Sequence, residues 1–104
     1  TELANALAAI HGKPEQAWTV ESLAEQCCMS RSKFATLFSN IVGETPLAYL
    51  QQYRFRLASQ HLREGQLSIQ QIAHRVGYSS ETAFSQTFKR LFDLTPSQYR
   101  QQFQ

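Results

Sequence analysis

The chain has 104 residues, of which 42% are apolar, so its length predicts one compact unit or two very small ones. It has no run of about 18 apolar residues and no basic N-terminal region followed by an apolar block, which argues against a membrane span and a signal peptide. The formal net charge is only +2, which is weak evidence for a nucleic-acid partner, so the placement of the charges must decide.

Three helices are predicted in the first half of the chain, at residues 2–11, 20–28 and 31–42. Gly12 ends the first, while Thr19 and Ser30 are expected to cap the second and third. Apolar residues recur every three or four positions in each, as expected of buried helix faces. These faces comprise Leu3, Leu7 and Ile10, then Val20, Leu23 and Ala24, then Phe34, Leu37, Phe38 and Ile41.

A long central helix is predicted from Pro46 to about Arg63, with Thr45 as its N-cap and Gly65 at its end. Eighteen residues at 1.5 Å each give a rod of roughly 27 Å. The apolar contacts of this helix are expected from Leu47, Leu50, Leu57, Ala58 and Leu62.

Three more helices follow, and no stretch alternates as a strand would, so the predicted fold class is all-α with seven helices. Ser68 begins the fifth, and Ser79 or Ser80 opens the sixth, which ends at Phe92. Thr95 and Pro96 open a short seventh helix. Capping-box partners are expected at Gln71 and Gln98. The predicted inward residues are Ile69, Ile72, Ala73, Val76, Phe84, Phe88, Leu91, Phe92, Tyr99 and Phe103.

An internal repeat relates the two halves of the chain. Five residues recur at an offset of 50, namely Phe34, Phe38, Thr45, Pro46 and Tyr49 as Phe84, Phe88, Thr95, Pro96 and Tyr99. Three more recur at an offset of 49, namely Val20, Leu23 and Ala24 as Ile69, Ile72 and Ala73. The spacing of a buried Ala and a turn residue between two helices is typical of a helix-turn-helix. The repeat therefore predicts two such motifs, the second with one extra residue in its turn.

These motifs make the chain resemble the C-terminal DNA-binding domain of the AraC/XylS family of bacterial transcription regulators. The residues that carry the resemblance are Gly43 to Pro46, Tyr49, Tyr53, Arg54, Ile72, Ala73, Gly77, Tyr78 and Phe84 to Arg100. The resemblance implies two helix-turn-helix subdomains, at residues 1–45 and 65–104, joined by the central helix at 46–64. It also implies that the third and sixth helices enter successive major grooves. The resemblance further implies that an effector-binding or dimerisation domain, commonly cupin-like, lies in a missing N-terminal part. The start at Thr1 inside a helical pattern is expected of a piece of a longer chain.

The sequence departs from the family pattern at three positions. Thr36 and Gln86 stand where the family often has Arg, so a changed sequence preference is expected with the same mode of binding. Asp93 stands where a glycine is usual before the second Thr-Pro pair. Asp tolerates a left-handed backbone better than most residues, so this turn is expected to survive.

The polar faces of the third and sixth helices hold the candidate DNA contacts. Gln can bond adenine, Glu can accept from cytosine N4, and the methyl groups of Thr and Ala can contact thymine. The predicted base-reading residues are Ser32, Lys33, Ala35 and Thr36 in the third helix, and Glu81, Thr82, Ser85 and Gln86 in the sixth. The predicted phosphate contacts are Arg31, Asn40, Lys89 and Arg90, which flank these faces. The third helix is expected to read less sequence, because its side chains are short.

No catalytic residue, metal site or cofactor is expected. The three His residues share no ligand spacing, and no nucleophile–base pair or glycine-rich phosphate loop occurs. Cys27 and Cys28 are adjacent on a predicted helix, so a bridge between them is implausible. They are interpreted as reduced, space-filling thiols.

The sequence thus predicts a cytoplasmic, sequence-specific module that binds double-stranded DNA, activates or represses transcription and catalyses nothing, with RNA polymerase as a further partner. A protein-interaction module is the main alternative, since the same helix faces could dock on polymerase or a partner regulator. A fragment of a DNA-repair enzyme fused to such a domain is a third. That reading requires a catalytic Cys or a zinc cluster, which Cys27 and Cys28 do not supply.

Overall fold

The computed structural model describes residues 2–103, which form seven helices and no strand. The helices are α1 Ala4–Gly12, α2 Val20–Gln26, α3 Arg31–Val42, α4 Pro46–Glu64, α5 Ile69–Arg75, α6 Glu81–Phe92 and α7 Pro96–Gln101. The predicted all-α fold is confirmed. None of the helices in the described range is long and apolar enough to cross a membrane.

The chain divides into two compact units, the first ending at Tyr53 and the second beginning at Arg54. The boundary lies inside α4, so the two halves of this helix belong to different units. Leu50 belongs to the first core, whereas Phe55, Ala58 and Leu62 belong to the second. The division into 1–45, 46–64 and 65–104 stays a prediction of how the functional parts are organised.

Each core is built around two phenylalanines of one helix. Phe34 and Phe38 of α3 are fully buried in the first unit, and Phe84 and Phe88 of α6 are fully buried in the second. The rest of the first core comes from α1, α2, α4 and the residues just before α1 and α2, namely Leu3, Ala6, Ile10, Trp18, Leu23, Ala24 and Leu50. Helices α4 and α5 complete the second with Phe55, Ala58, Leu62, Ile72, Ala73 and Val76. The repeat in the sequence is therefore a repeat of core architecture.

Both helix-turn-helix turns have the same hydrogen bonds. Cys28 N–H donates to Glu25 O and Met29 N–H to Ala24 O, at 3.1 and 3.0 Å. In the second unit Gly77 N–H donates to His74 O and Tyr78 N–H to Ala73 O, at 3.1 and 2.9 Å. Both pairs are the Schellman pattern, which ends a helix with one left-handed residue. The extra residue of the second copy lies after this shared turn, between Tyr78 and the cap of α6.

This turn corrects two predictions about the cysteines. Helix α2 ends at Gln26 rather than Cys28, because Cys28 takes the left-handed conformation with φ 55°. Its counterpart Gly77 has φ 93°, a value that glycine adopts without steric cost. Cys27 is half-buried against the first core, but Cys28 is exposed and fills no space.

The predicted apolar faces of α3, α4 and α6 include residues near the helix ends that the structure leaves exposed. Ile41 is 57% exposed and Leu91 is 46% exposed, at matching positions near the ends of α3 and α6. Periodicity identifies the face of a helix, but not how far along the axis its neighbour extends. Helices α2 and α5 have seven residues each, against twelve in α3 and α6, so the last turns of the longer helices extend past them. Leu47 at the start of α4 is likewise exposed, at 45%.

Smaller differences concern helix ends and burial. Helix α1 begins at Ala4 and includes Gly12, and its buried residues are Ala6 and Ile10, whereas Leu7 is only partly buried. Ser80, not Ser79, caps α6. Phe103 lies 5.1 Å from Tyr99 between ring centroids but stays 51% exposed. The capping boxes at Gln71 and Gln98 are confirmed, and Asp93 is left-handed with φ 64° as expected.

Candidate nucleic-acid interface

Helices α3 and α6 are anchored in the same way, each within its own unit. The rings of Phe34 and Phe38 lie 5.6 Å apart between centroids, and those of Phe84 and Phe88 lie 6.0 Å apart. Because residues four apart share a helix face, both rings of each pair point into the core. Each helix therefore turns its opposite side outward.

A repeated tyrosine supports each anchor. Tyr49 meets Phe38 edge-on at 5.7 Å between centroids, and Tyr99 meets Phe88 edge-on at 5.4 Å. The hydroxyl of Tyr49 is 2.7 Å from His11 Nε2, and Arg63 Nη1 donates to the Tyr99 hydroxyl at 2.8 Å. Edge-to-face pairs add about 0.5–1.5 kcal/mol beyond area burial. These tyrosines pack against the buried sides of α3 and α6, through contacts that link distant positions in the sequence.

The predicted base-reading residues fall on the outward faces. Ser32, Lys33 and Thr36 are exposed on α3, and Ala35 is half-buried. The predicted base-reading residues of the second unit behave alike: Glu81, Thr82 and Gln86 are exposed on α6, and Ser85 is half-buried. Each set is thus available to a macromolecule from one side of its own unit.

The groove beside α3 contains a residue that the sequence did not single out. Ser32, Lys33, Thr36 and Asn40 line an open concavity together with Leu37 and Glu2. Glu2 brings a negative charge to a face whose other charged group is Lys33. Nothing in the spacing of the sequence indicated this, because Glu2 precedes α1 and α3 begins 29 residues later.

The predicted phosphate contacts are also exposed, but Arg31 differs from the rest. Asn40, Lys89 and Arg90 extend from the outer sides of α3 and α6. Arg31 Nε lies 3.2 Å from Oε1 of Glu21, an ion pair between the first turns of α3 and α2. The sequence pattern did not indicate this pair, because Glu21 and Arg31 lie on different helices.

The Glu21 carboxyl is held in its charged form. Its own backbone N–H is the main cause that lowers the pKa of Glu21 below the ordinary value, with smaller lowering by the Arg31 charge and the Thr19 hydroxyl and an opposing contribution from desolvation. Hydrogen bonds from N–H groups favour a carboxylate over the protonated acid. Glu21 therefore remains negative beside Arg31 throughout the neutral pH range.

The first turns of α3 and α6 carry opposite charges. Ser30 accepts from Lys33 N–H at 3.3 Å, and Ser80 accepts from Ala83 N–H at 3.2 Å, so both helices are capped alike. The first residue of α3 is Arg31, whereas the first residue of α6 is Glu81. Between residues 2 and 103, no group of three or more His, Cys, Asp or Glu side chains could hold a metal ion.

In each unit a Schellman turn ends one helix, and a capped helix with two buried phenylalanines follows. This arrangement, present in both units, defines a helix-turn-helix domain. A family model described as a helix-turn-helix domain matches residues 23–102. The transcriptional regulator AlkR of Acinetobacter baylyi is 74% identical over 97% of this chain and 33% of its own length. A putative AraC-like transcription regulator of Streptomyces lividans is 45% identical over 94% of this chain and 32% of its own length.

Solved structures agree with this classification. The DNA-binding domain of AdpA, solved in complex with a target DNA, has a TM-score of 0.88 and 32% identity, over 98% of this chain and 92% of that one. An AraC-type regulator of Chromobacterium violaceum has a TM-score of 0.86 and 29% identity, over 98% and 91% of the two chains. The chain belongs to the AraC/XylS family of bacterial transcription regulators and is a DNA-binding domain of that family. It spans about a third of the length of the curated relatives it matches.

Proposed function

We propose that this domain binds duplex DNA sequence-specifically by inserting α3 and α6 into the major groove at two half-sites one helical turn apart. The supporting observation is that both units repeat one arrangement. Two fully buried phenylalanines hold one side of each helix, and three exposed polar residues occupy the other. A recognition helix needs a fixed register and an outward row of hydrogen-bonding groups.

A gel-shift titration at several salt concentrations tests the proposal. The domain should shift a duplex selected from a random pool, and its affinity should fall steeply as salt rises, because phosphate contacts release counterions. A duplex with both half-sites scrambled should bind much more weakly at the same salt. No shift even at low salt would favour the protein-interaction reading instead.

Gln86 is proposed as a base reader of α6. It is exposed midway along the helix, on the side opposite the buried Phe84 and Phe88. Gln86→Ala should cost about 1–3 kcal/mol on the preferred site and relax the preference at one base position, because a bidentate contact to adenine is lost. Affinities for a panel of single-base variants of the site measure both effects.

The matched control is Gln60→Ala on α4, another exposed glutamine in the same unit. It makes the same change of side chain within a helix, so it should leave the base preferences intact. An equal loss on every sequence after Gln86→Ala would remove Gln86 from the base readers.

Lys89 and Arg90 are proposed as phosphate contacts, because both are exposed near the end of α6 beside its outward face. Each phosphate neutralised contributes about 0.9 to the slope of log K against log salt. Replacing both with alanine should therefore reduce the magnitude of the slope by about 2, with little change in base preference. Gel shifts from low to moderate salt give this slope.

The charge-matched control replaces Lys13 and Arg56 with alanine. Both residues are exposed, and neither belongs to α3 or α6. This double variant removes the same two charges but should leave the slope nearly as it was. If both double variants change the slope equally, net charge rather than a local contact is responsible.

Further partners are proposed for the whole protein. We infer that it acts in the cytoplasm, contacts RNA polymerase and contains an effector-binding or dimerisation domain. Its curated relatives are about three times as long as this chain, which supports further domains. The exposed Ile41 and Leu91 are apolar groups that a protein partner could cover.

A further inference from the structure

The ion pair between Glu21 and Arg31 joins the two helices of the first helix-turn-helix. Arg31 is the first residue of α3, and its Nε lies 3.2 Å from Glu21 Oε1 on α2. Both side chains are well exposed, at 67% and 56%, so the pair adds little to stability. Its effect is to restrict the direction in which a long, mobile side chain leaves the recognition helix.

The Glu21 carboxylate approaches Arg31 at Nε, not at the terminal Nη1 and Nη2 groups. Arginine recognises guanine with two parallel N–H groups directed at O6 and N7. The carboxylate lies closest to Nε, so the terminal Nη1 and Nη2 groups can still form that fork. A side chain already held in one direction loses less conformational freedom on binding.

The negative charge of Glu21 favours a base over a phosphate as the target of Arg31. A phosphate bound to Arg31 would bring a second anion close to the Glu21 carboxylate, and like charges at short range repel. The edge of guanine is neutral and carries no such penalty. Residues at the N-terminus of a recognition helix are also those that reach base edges.

The repeat provides an internal comparison. Glu21 corresponds to Gln70 at the offset of 49, and Arg31 corresponds to Glu81 at the offset of 50. The second unit therefore has Gln70 in place of the carboxylate and Glu81 in place of the arginine, so it cannot form the same ion pair. The other predicted readers of α3 are short except for Lys33, so a guided arginine would supply the reach that this helix otherwise lacks.

We propose that Arg31 reads a guanine in the half-site bound by α3, and that Glu21 is its positioning residue. This rests on the proposed DNA-binding function and assigns Arg31 to base recognition in place of the phosphate contact predicted from the sequence. The two roles differ in a measurable way, because a base contact discriminates between sequences and a phosphate contact does not.

The experiment is selection of binding sites from random duplexes with the wild-type domain, followed by affinity measurements on single-base variants. The wild-type sites should contain a required guanine in one half-site. Arg31→Ala should weaken binding to that site about tenfold to a hundredfold and abolish the preference for guanine at that position alone. An equal loss on all sequences, with a salt slope smaller by about 1, would overturn the assignment and make Arg31 a phosphate contact.

Glu21→Gln tests the positioning role, with Glu25→Gln as its control. Both remove one negative charge from an exposed residue of α2, but the ion pair with Arg31 involves only Glu21. Glu21→Gln should reduce the preference for guanine about threefold to tenfold, whereas Glu25→Gln should leave it unchanged. In the Arg31→Ala background, Glu21→Gln should have no further effect on this preference, because coupled residues are not additive.

The outcomes separate this assignment from the function on which it rests. No enriched sequence with the wild-type domain would overturn both. A second outcome is a guanine preference that Arg31→Ala abolishes and that Glu21→Gln and Glu25→Gln reduce to the same extent. That outcome would overturn the role of Glu21. Circular dichroism melts of every variant establish that the helices remain folded.

Discussion

Replacing Phe88 with alanine should lower the free energy of unfolding by about 3–5 kcal/mol, the usual cost of removing a buried phenylalanine. Phe88 is fully buried, and its ring centroid lies 4.3 Å from that of Phe92, 5.4 Å from Tyr99, 6.0 Å from Phe84 and 6.3 Å from Phe55. These partners come from α4, α6 and α7, so the cavity would loosen three helices of the second unit at once. Chemical denaturation followed by circular dichroism measures the loss.

Phe103→Ala is the matched control for this change. Phe103 is in the same unit but is 51% exposed, with Tyr99 as a ring neighbour at 5.1 Å. Removing it should change stability by no more than about 0.5 kcal/mol, as is usual at the surface. A similarly small effect of Phe88→Ala would contradict the view that α6 is held by its phenylalanines, since a cavity that collapses freely indicates a loose core.

Local signals in the sequence were sufficient to place most helix starts. Ser30, Ser68 and Thr95 each accept a hydrogen bond from the backbone N–H three residues later, as their positions before apolar periodic stretches predicted. Capping depends on residues three apart in the chain. Such contacts can be read without knowing how helices pack.

The end of α2 could not be predicted in the same way. Its left-handed position holds Cys28, a residue that rarely adopts positive φ, whereas the second copy has the expected glycine, Gly77. Only alignment of the two turns within the repeat would have identified Cys28 as the counterpart of Gly77. Composition and spacing alone predict a helical, space-filling pair of cysteines, which is wrong for Cys28.

In the candidate site, too, the sequence predicted features within one helix but not a contact between two helices. Periodicity was enough to predict that Lys33, Thr36 and Gln86 face outward, because a helix with one buried side has a known opposite side. It did not predict that Glu21 pairs with Arg31, ten residues away on another helix. That contact depends on the angle between α2 and α3, which side-chain packing determines.

Inserting 5 base pairs between the two half-sites should reduce the affinity about thirtyfold or more. The insertion turns one half-site by about half a helical turn, onto the far side of the duplex. Helix α4 runs from Pro46 to Glu64 across the boundary between the units, with no Gly or Pro after its first residue. A continuous helix resists the twist that both half-sites would then require. One recognition helix would lose its contacts, and two bidentate base contacts alone are worth about 2–6 kcal/mol.

Two further duplexes make this spacing test decisive. An insertion of 5 base pairs outside the site keeps the length equal and should leave the affinity unchanged. An insertion of 10 base pairs between the half-sites restores the face of the duplex but adds about 34 Å along it. A stiff linker cannot follow that distance, so the loss should persist.

Recovery of affinity with the 10-base-pair insertion would mean that α4 unwinds on binding. Undiminished affinity with the 5-base-pair insertion would mean either a flexible linker or contact by only one recognition helix. In the second case we expect the contacting helix to be α6, whose outward face carries Glu81, Thr82 and Gln86.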